Sequence, residues 1–343
     1  MSLKQIIGCV IAVLGVVFGG LFVHAAYFAK PSSTAPEVMV TVKAGATTKE
    51  VAASLKRAGV VMGEGGYRLY GYLNGAARRP VAGVYRVQPG MSYRSLAEVF
   101  ALGPARREGT ARIIEGWTVR DEQAYLVKEK GVDPQKMTAL MGASLDEHAF
   151  DPVLRRDFPF LQPLSAKRSL EGYLFPDTYR IWEDQLPEGL VRKQLAEFSE
   201  RYATATVTEA MAPLKTLDEA VILASIVEKE VRGADERRTV AGIFLRRLRE
   251  GMALQSDATL HYLTQSGRSQ ASSDDLSLDS PYNSYKYRGL PPGPIGSPGQ
   301  TALDAVFNPE PTPYRYFLTD KEGNVLYGRT FEEHIQNRRR AGY

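Results

Sequence analysis

One helix in this sequence leaves the chain little freedom in how it folds. Residues 220–227 are all apolar or small, so a helix built from them keeps no face for water. Thr216 and Glu219 have the spacing of a capping box, which predicts that the helix begins there. We therefore expect residues 216–232 to form a central helix that is buried on all sides by the rest of its domain.

Two glutamates, Glu228 and Glu230, fall in the last turn of this helix. At about 100° per residue they point to nearly opposite sides, so they cannot share one task. Burial and the negative end of the helix dipole both favour the protonated carboxyl group, which raises its pKa and suits a general acid. The alternative, commoner for glutamates at helix ends, is pairing with arginines such as Arg232, Arg237 and Arg238.

Composition excludes several classes of function. The chain has 343 residues, enough for two or three domains, and 43 Lys+Arg against 39 Asp+Glu give a net charge of only +4. This mixed charge gives no support for a nucleic-acid partner. The four histidines lie far apart and no C-x-x-C is present, so the sequence predicts no metal or other cofactor.

The N-terminal segment is predicted to be a membrane helix. Residues 6–29 contain no Asp, Glu, Lys or Arg, and this run exceeds the roughly 20 residues that a spanning helix needs. We interpret residues 1–29 as a short inside tip followed by an uncleaved anchor, with the globular body outside. The alternative is a cleavable signal peptide, for which Ala25 and Ala26 supply small residues near the end.

A small domain is predicted after a linker at residues 30–37. Within residues 38–104 the pattern reads strand, helix, helix, strand, helix, with Thr47 and Glu50 capping the first helix and Ser92 the third. This β-α-α-β-α order resembles a LysM-like module, the kind that lies along glycan strands. A plain spacer domain is the alternative.

Residues 105–343 are predicted to form a larger mixed α/β domain, so the chain as a whole is assigned to the α+β class. A strand is expected at 111–117, a helix at 188–203, and a hairpin joining 314–318 to 325–327. We expect Thr330 to cap a final helix. Residues 132–169 are read as irregular with short helical pieces, and 269–280 as a polar, mobile segment.

A second helix should follow the central one, capped by Asp235 and ended by Gly251. Its apolar residues are expected to pack inward. Arg246, Arg247 and Arg249 are interpreted as its solvated face.

The segment 282–299 is too rich in proline and glycine for a helix or a central strand, yet it carries three tyrosines and an asparagine. Aromatic faces and amides on a stiff loop suit a sugar, whose ring has flat C–H faces and a rim of hydroxyls. The alternative is a structural cover over a sheet edge.

Several separated motifs in one order now identify a resemblance. They are ASIVEKE at 224–230, LQSDATLHY at 254–262, EGYLFPDTY at 171–179, and YNSY with GLPPGPIGSPG at 282–299. Together they look like the YceG-like, or MltG, endolytic murein transglycosylases. Two departures are visible, Ala258 where the family often has proline and Ser297 where it often has asparagine.

The resemblance implies that Glu230 is the catalytic acid and base. It implies cleavage of the β-1,4 bond between N-acetylmuramic acid and N-acetylglucosamine within nascent glycan strands, leaving a 1,6-anhydro end. It also implies a bacterial inner-membrane protein with a periplasmic body, acting on peptidoglycan beside peptidoglycan synthases. The residues expected to bind sugar or to steer Glu230 are Glu171, Asp177, Gln255, Asp257, Tyr282, Asn283 and Tyr285.

Two other functions stay open from the sequence. One is a membrane-tethered, non-catalytic glycan-binding scaffold that recruits synthases. The other is a hydrolase on the same substrate, with Asp257 or Glu228 as the partner carboxylate. A serine peptidase of the penicillin-binding type is disfavoured because the chain contains no S-x-x-K.

Overall fold

The computed structural model describes residues 2–31, 35–74, 81–105, 107–146, 148–265 and 272–342. The chain divides into two compact units, Met1–Arg107 and Glu108–Tyr343. Each unit has a hydrophobic core of its own.

The first unit contains the apolar helix and the predicted small domain. Leu3–Phe28 is long and apolar enough to cross a membrane, judged by length and composition. The β-α-α-β-α order is confirmed, although the second strand begins at Gly83 and not at residue 81. Strands β1 and β2 pair antiparallel, with Val38 opposite Val87. The elements are α1 Leu3–Val23 with a π-helical end His24–Phe28, β1 Val38–Val42, α2 Thr48–Arg57, α3 Glu64–Leu73, β2 Gly83–Val87 and α4 Tyr93–Leu102.

Capping chemistry and apolar spacing explain this unit. Thr47 and Glu50 form the expected capping box of α2, and the Ser92 side chain accepts a hydrogen bond from the N–H of Ser95 at the start of α4. Tyr85 of β2 and the inward residues of the helices fill the core. Ala26, beyond the end of α1, lies fully buried in the same core.

The second unit is dominated by helices, with two small antiparallel two-stranded sheets, β3–β4 and β5–β6. With the small sheet of the first unit, this confirms the α+β class. The elements are β3 Glu108–Arg112, α5 Val119–Lys130, α6 Pro134–Met141, α7 Pro152–Asp157, β4 Thr178–Trp182, α8 Glu188–Tyr202, α9 Leu217–Glu230, α10 Ala234–Arg249, α11 Asp257–Thr264, α12 Ser273–Ser277, α13 Gln300–Phe307, β5 Tyr316–Thr319, β6 Val325–Gly328 and α14 Phe331–Arg340.

Some predicted boundaries are wrong. The strand expected at 111–117 runs from Glu108 to Arg112, because its pairing with β4 fixes its length. Gly233 and not Asp235 is the N-cap of α10. Of the segment expected to be mobile, residues 269–271 lie outside the described part of the chain, and Ser273–Ser277 forms a short helix.

Helix α9 is the centre of the second unit, as the sequence predicts. Thr216 and Glu219 form its capping box, and every residue from Ala220 to Val227 is buried. Helices α10, α11 and α13 pack around it. Burial of this helix on all sides places it within the hydrophobic core of the unit.

The segment 282–299, called the Pro/Gly segment from here on, covers α9. The alternative interpretation had proposed that it covers a sheet edge. The N–H of Ile295 donates to Ser225 Oγ at 3.0 Å, and the N–H of Gly299 donates to Glu228 Oε2 at 3.0 Å. Residues 293–299 are buried. These residues therefore pack against the helix, and of them Ile295 also lines the groove described below.

We expect Gly172→Ala to destabilise the second unit by about 2–4 kcal/mol. Gly172 has φ +86°, and a Cβ there would lie 2.5 Å from Pro294 Cγ and 3.0 Å from Val221 Cγ1. Thermal unfolding of the purified variants measures the effect. Gly131→Ala is the matched control, since Gly131 has φ +65° with nothing within 4 Å of its Cβ position. Equal losses in both variants would contradict the role of the Pro294 contact.

A buried acid and amide pair joins α5 to α8. Gln194 Nε2 donates to Glu122 Oε2 at 3.0 Å, whereas the Oε1 atoms of both side chains have no hydrogen-bond partner among the described residues. Burial raises the pKa of Glu122 to about 8. A proton on Glu122 supplies the donor that these two oxygens otherwise lack, so we infer that the neutral acid is the folded form.

This pair makes stability depend on pH. The folded protein keeps a proton on Glu122 up to about pH 8, whereas the unfolded chain releases it near the ordinary value of 4.5. The free energy of unfolding should therefore fall between these values as pH rises, by about 1.4 kcal/mol per unit from this group. Glu122→Gln should flatten that slope in urea unfolding, whereas the exposed Glu129→Gln should keep it. An unchanged slope in Glu122→Gln would show that the acid is ionised when folded.

Candidate active site

A groove of about 1150 Å³ opens in the second unit at the C-terminal end of α9. Its walls come from the start of α5, the end of α9, one side of α10, helix α11, and the hairpin and helix that close the chain. The lining residues that matter most here are Glu230, Arg247, Gln255, Asp257, Tyr285 and Tyr316.

Glu230 is the last residue of α9 and projects into this groove. Ser256 Oγ donates a hydrogen bond to Glu230 Oε1. Burial raises the pKa of Glu230 to about 7, and the neighbouring charge of Asp257 adds to the rise, while the Ser256 hydrogen bond and the charge of Arg247 oppose it. The group can therefore exist in both protonation states near neutral pH, as an acid that later acts as a base requires.

Glu228 has a different environment although it lies only two residues away. Its side chain is 6% exposed, and Oε1 accepts from Arg237 Nη2 at 2.5 Å. The N–H of Gly299 occupies its other oxygen. The ion-pair interpretation is thus correct for Glu228, whereas within the described residues Glu230 forms no ion pair with an arginine.

Two loops that the sequence motifs singled out are joined beside Glu230. Tyr285 OH donates to Asp257 Oδ1 at 2.6 Å, and the N–H of Ser256 donates to Ser284 Oγ at 3.0 Å. Gln255 lines the groove with φ +51°, a left-handed conformation that is uncommon outside glycine. The N–H of Gln255 donates to the carbonyl of Ser284 at 3.1 Å, and this hydrogen bond helps to hold Gln255 in its left-handed conformation.

Glu171 lies behind the groove wall and does not line it. It is 1% exposed, and its carboxylate accepts from the N–H of Val119, from Ser144 Oγ and from Tyr262 OH at 2.9, 2.9 and 3.1 Å. Burial raises the pKa of Glu171 to about 7. Because both oxygens already accept hydrogen bonds from protein donors, the geometry favours the second of its two expected roles, support of the site, over contact with sugar.

Three other predicted site residues also lie outside the groove lining. Asp177 is exposed immediately before β4, where Oδ1 accepts from the N–H of Thr178 at 2.6 Å. Tyr282 is buried against Tyr262, with ring centroids 5.3 Å apart. Asn283 is fully buried and donates to the carbonyls of Leu276 and Leu278, so it fixes the loop that carries Tyr285.

Two residues that act on Glu230, one by a hydrogen bond and one by its charge, were missed by the sequence analysis. Ser256 stands inside the LQSDAT motif but was not assigned a role. Arg247 was assigned to a solvated face, yet it is 5% exposed and lines the groove. Its spacing from Val240 and Ile243, seven and four residues earlier, places it on a buried side of α10 and was the signal available. No cluster of three metal-ligating side chains occurs in the described part of the chain.

Comparison with known proteins gives consistent matches. The model of the YceG-like family matches residues 40–340. A Bacillus subtilis protein named endolytic murein transglycosylase is 28% identical over 325 residues, covering 93% of this chain and 89% of that protein. A Streptococcus pneumoniae protein of the same name is 31% identical over 320 residues, 88% of this chain, which spans only 57% of that longer relative. The structure of a YceG-like protein from Listeria monocytogenes superposes with a TM-score of 0.57 at 26% identity, covering 89% of this chain and all of that one.

Proposed function

The chain belongs to the YceG-like family, and from this premise we propose that it cuts the β-1,4 bond between N-acetylmuramic acid and N-acetylglucosamine inside murein strands, with Glu230 as acid and then base. Its enzyme class is that of its curated relatives, a lytic transglycosylase, which is a lyase. The observation that carries the finer proposal is the carboxyl group of Glu230, which lines a large groove with its pKa raised to about 7.

The proposed reaction needs one carboxyl group and no water. Protonated Glu230 donates its proton to the glycosidic oxygen, the bond from that oxygen to C1 of the muramoyl sugar breaks, and Glu230 becomes a carboxylate. The carboxylate then removes the proton from the muramoyl O6 hydroxyl, and O6 bonds to C1 to close the 1,6-anhydro ring. Glu230 ends protonated, ready for the next bond.

The surrounding residues support this cycle. Ser256 holds one oxygen of Glu230, which fixes the direction of the carboxyl group. Asp257 and Tyr285 form a hydrogen-bonded pair on the groove wall, and both present polar atoms suited to sugar hydroxyls. Gln255 offers an amide from the same loop. We propose these four as the residues that orient glycan and acid.

The hydrolase alternative needs a second carboxylate to activate or replace water. Glu228 does not suit that role, because it points away from the groove and is paired with Arg237. Asp257 lines the groove and stays a candidate.

Product analysis separates the three functions. The full chain in detergent is incubated with uncrosslinked glycan strands, and the fragments are examined by mass spectrometry. A lytic transglycosylase leaves internal cuts with anhydro ends, whereas a hydrolase leaves reducing ends heavier by one water. Release of reducing ends alone would assign the hydrolase, and no fragments at all would assign the scaffold.

We also propose that the apolar helix α1 is an uncleaved anchor in the bacterial inner membrane, with the body in the periplasm. Ala26 is buried in the core of the first unit, and the Tyr27 ring packs on Tyr70 at 5.9 Å. Signal cleavage next to Ala26 would remove part of that core. A LysM-like glycan contact by residues 38–104, and peptidoglycan synthases as partners, are proposed on the family resemblance alone.

A further inference from the structure

Arg247 is held rigidly in the wall of the groove. Its Nε donates to the carbonyl of Arg315 at 2.6 Å, and its Nη1 donates to the carbonyl of Leu254 at 2.5 Å. The guanidinium carbon lies 5.4 Å from the centre of the Tyr316 ring. Two backbone carbonyls and an aromatic face thus fix the position of this positive charge before any substrate arrives.

Arg247 differs from the other buried arginines of the described chain. Arg168 pairs with Asp218, and Arg237 pairs with Glu228. Arg247 has no carboxylate within ion-pair distance among the described residues, and its Nη2 makes no hydrogen bond with them. A buried charge without a counter-ion is expensive to keep, so its retention on the groove wall calls for a reason other than stability.

The charged and polar groups that face Glu230 come from three neighbouring elements. Arg247 comes from α10, Ser256 and Asp257 from the start of α11, and Tyr285 from the loop after α12. Lys229 precedes Glu230 on α9 and lines the same groove. Asp257 favours the protonated form of Glu230, while Arg247 and Ser256 favour the carboxylate.

We propose that Arg247 is a positioning residue that holds a fixed positive charge beside Glu230 and stabilises the carboxylate formed after proton donation, so that Glu230 can return as the base. The inference rests on the proposed function of Glu230. The carboxylate is the costly state of the cycle, because burial of the Glu230 side chain disfavours its charged form. A charge already fixed in place lowers that cost without reorganisation at the moment of reaction.

The test is the pH dependence of cleavage in Arg247→Met and Asp257→Asn. Protonated Glu230 starts the reaction, so kcat/KM falls on the alkaline side as Glu230 ionises in the free enzyme. Loss of the positive charge in Arg247→Met should move this fall to higher pH and lower kcat about 10–100-fold. Loss of the negative charge in Asp257→Asn should move the same fall to lower pH. A merely structural role of Arg247 would lower activity without moving the profile.

Matched variants keep the test decisive. Arg249→Met removes the same charge from the exposed side of α10 and should leave both kcat and the profile unchanged. If Arg247→Met does not fold, Arg247→Lys keeps a charge that is less firmly held, and a smaller shift to higher pH is expected. An alkaline limb that does not move in a folded Arg247 variant would overturn the proposal. If Glu230→Gln keeps its activity, the proposed role of Glu230 is wrong, and the inference about Arg247 that rests on it is then wrong as well.

Discussion

Replacement of Glu230 by glutamine is expected to lower kcat for glycan cleavage by about 10³-fold or more, with little change in KM. Glutamine keeps the shape of the side chain and can still accept from Ser256. It cannot donate a proton to the glycosidic oxygen or remove one from O6, and in the proposed reaction both steps belong to this group. Time courses of anhydro-ended fragments, followed by mass spectrometry, measure the loss.

The fold of this variant should stay intact, which separates chemistry from stability. Burial disfavours the ionised form of Glu230, so a neutral glutamine should leave the melting temperature almost unchanged at pH 4, below the ordinary value of 4.5, and should raise it at pH 7 and above. Glu129→Gln, an exposed change on α5, is the control for activity. Anhydro ends released at the wild-type rate by Glu230→Gln would place the acid and base elsewhere in the groove.

Replacement of Glu228 by alanine should cost about 3–5 kcal/mol of folding free energy. The change leaves the guanidinium of Arg237 buried without its counter-ion, and arginine cannot release its proton to escape that state. It also removes the acceptor for the N–H of Gly299, which ties the Pro/Gly segment to α9. Urea unfolding followed by circular dichroism measures the difference from the wild type.

A second variant tests whether the unpaired charge of Arg237 causes the expected loss of stability. The double variant Glu228→Leu with Arg237→Met replaces the pair by apolar side chains and should recover much of the lost stability. Glu129→Ala removes an exposed carboxylate and should change stability by less than about 0.5 kcal/mol. If Glu228→Ala is as stable as Glu129→Ala, the pair with Arg237 contributes little to the fold.

The sequence predicted those parts of the fold that depend on local pattern. The capping box at Thr216 and the apolar run after it placed α9 and its burial correctly. Apolar spacing and turn residues gave the order of elements in the first unit and the closing hairpin. Boundaries of strands were less accurate, because a strand such as β3 ends where its partner ends and the partner lies about seventy residues away.

The predicted site residues also divide into those that the structure places at the groove and those that it places elsewhere. Gln255, Asp257 and Tyr285 were expected to bind sugar or to steer Glu230, and all three line the groove into which Glu230 projects. Glu171, Tyr282 and Asn283 stand in equally distinctive motifs, yet they are buried in hydrogen-bonded or aromatic packing behind the wall. Polar residues that a fold needs and those that a substrate needs look alike in sequence, because both are polar groups within otherwise apolar segments.

Helical periodicity determined that two carboxylates end a buried helix on opposite sides, and composition determined that residues 6–29 contain no Asp, Glu, Lys or Arg. Only the tertiary structure decided which carboxylate lines the groove and which one pairs with an arginine. Ser256, which lies 26 residues after Glu230 in the chain, donates a hydrogen bond to Glu230. Glu228 accepts a hydrogen bond from the N–H of Gly299, 71 residues further along, and pairs with Arg237. The pKa of a buried acid depends on the charges and donors packed against it, and those come from segments whose positions the local sequence does not fix.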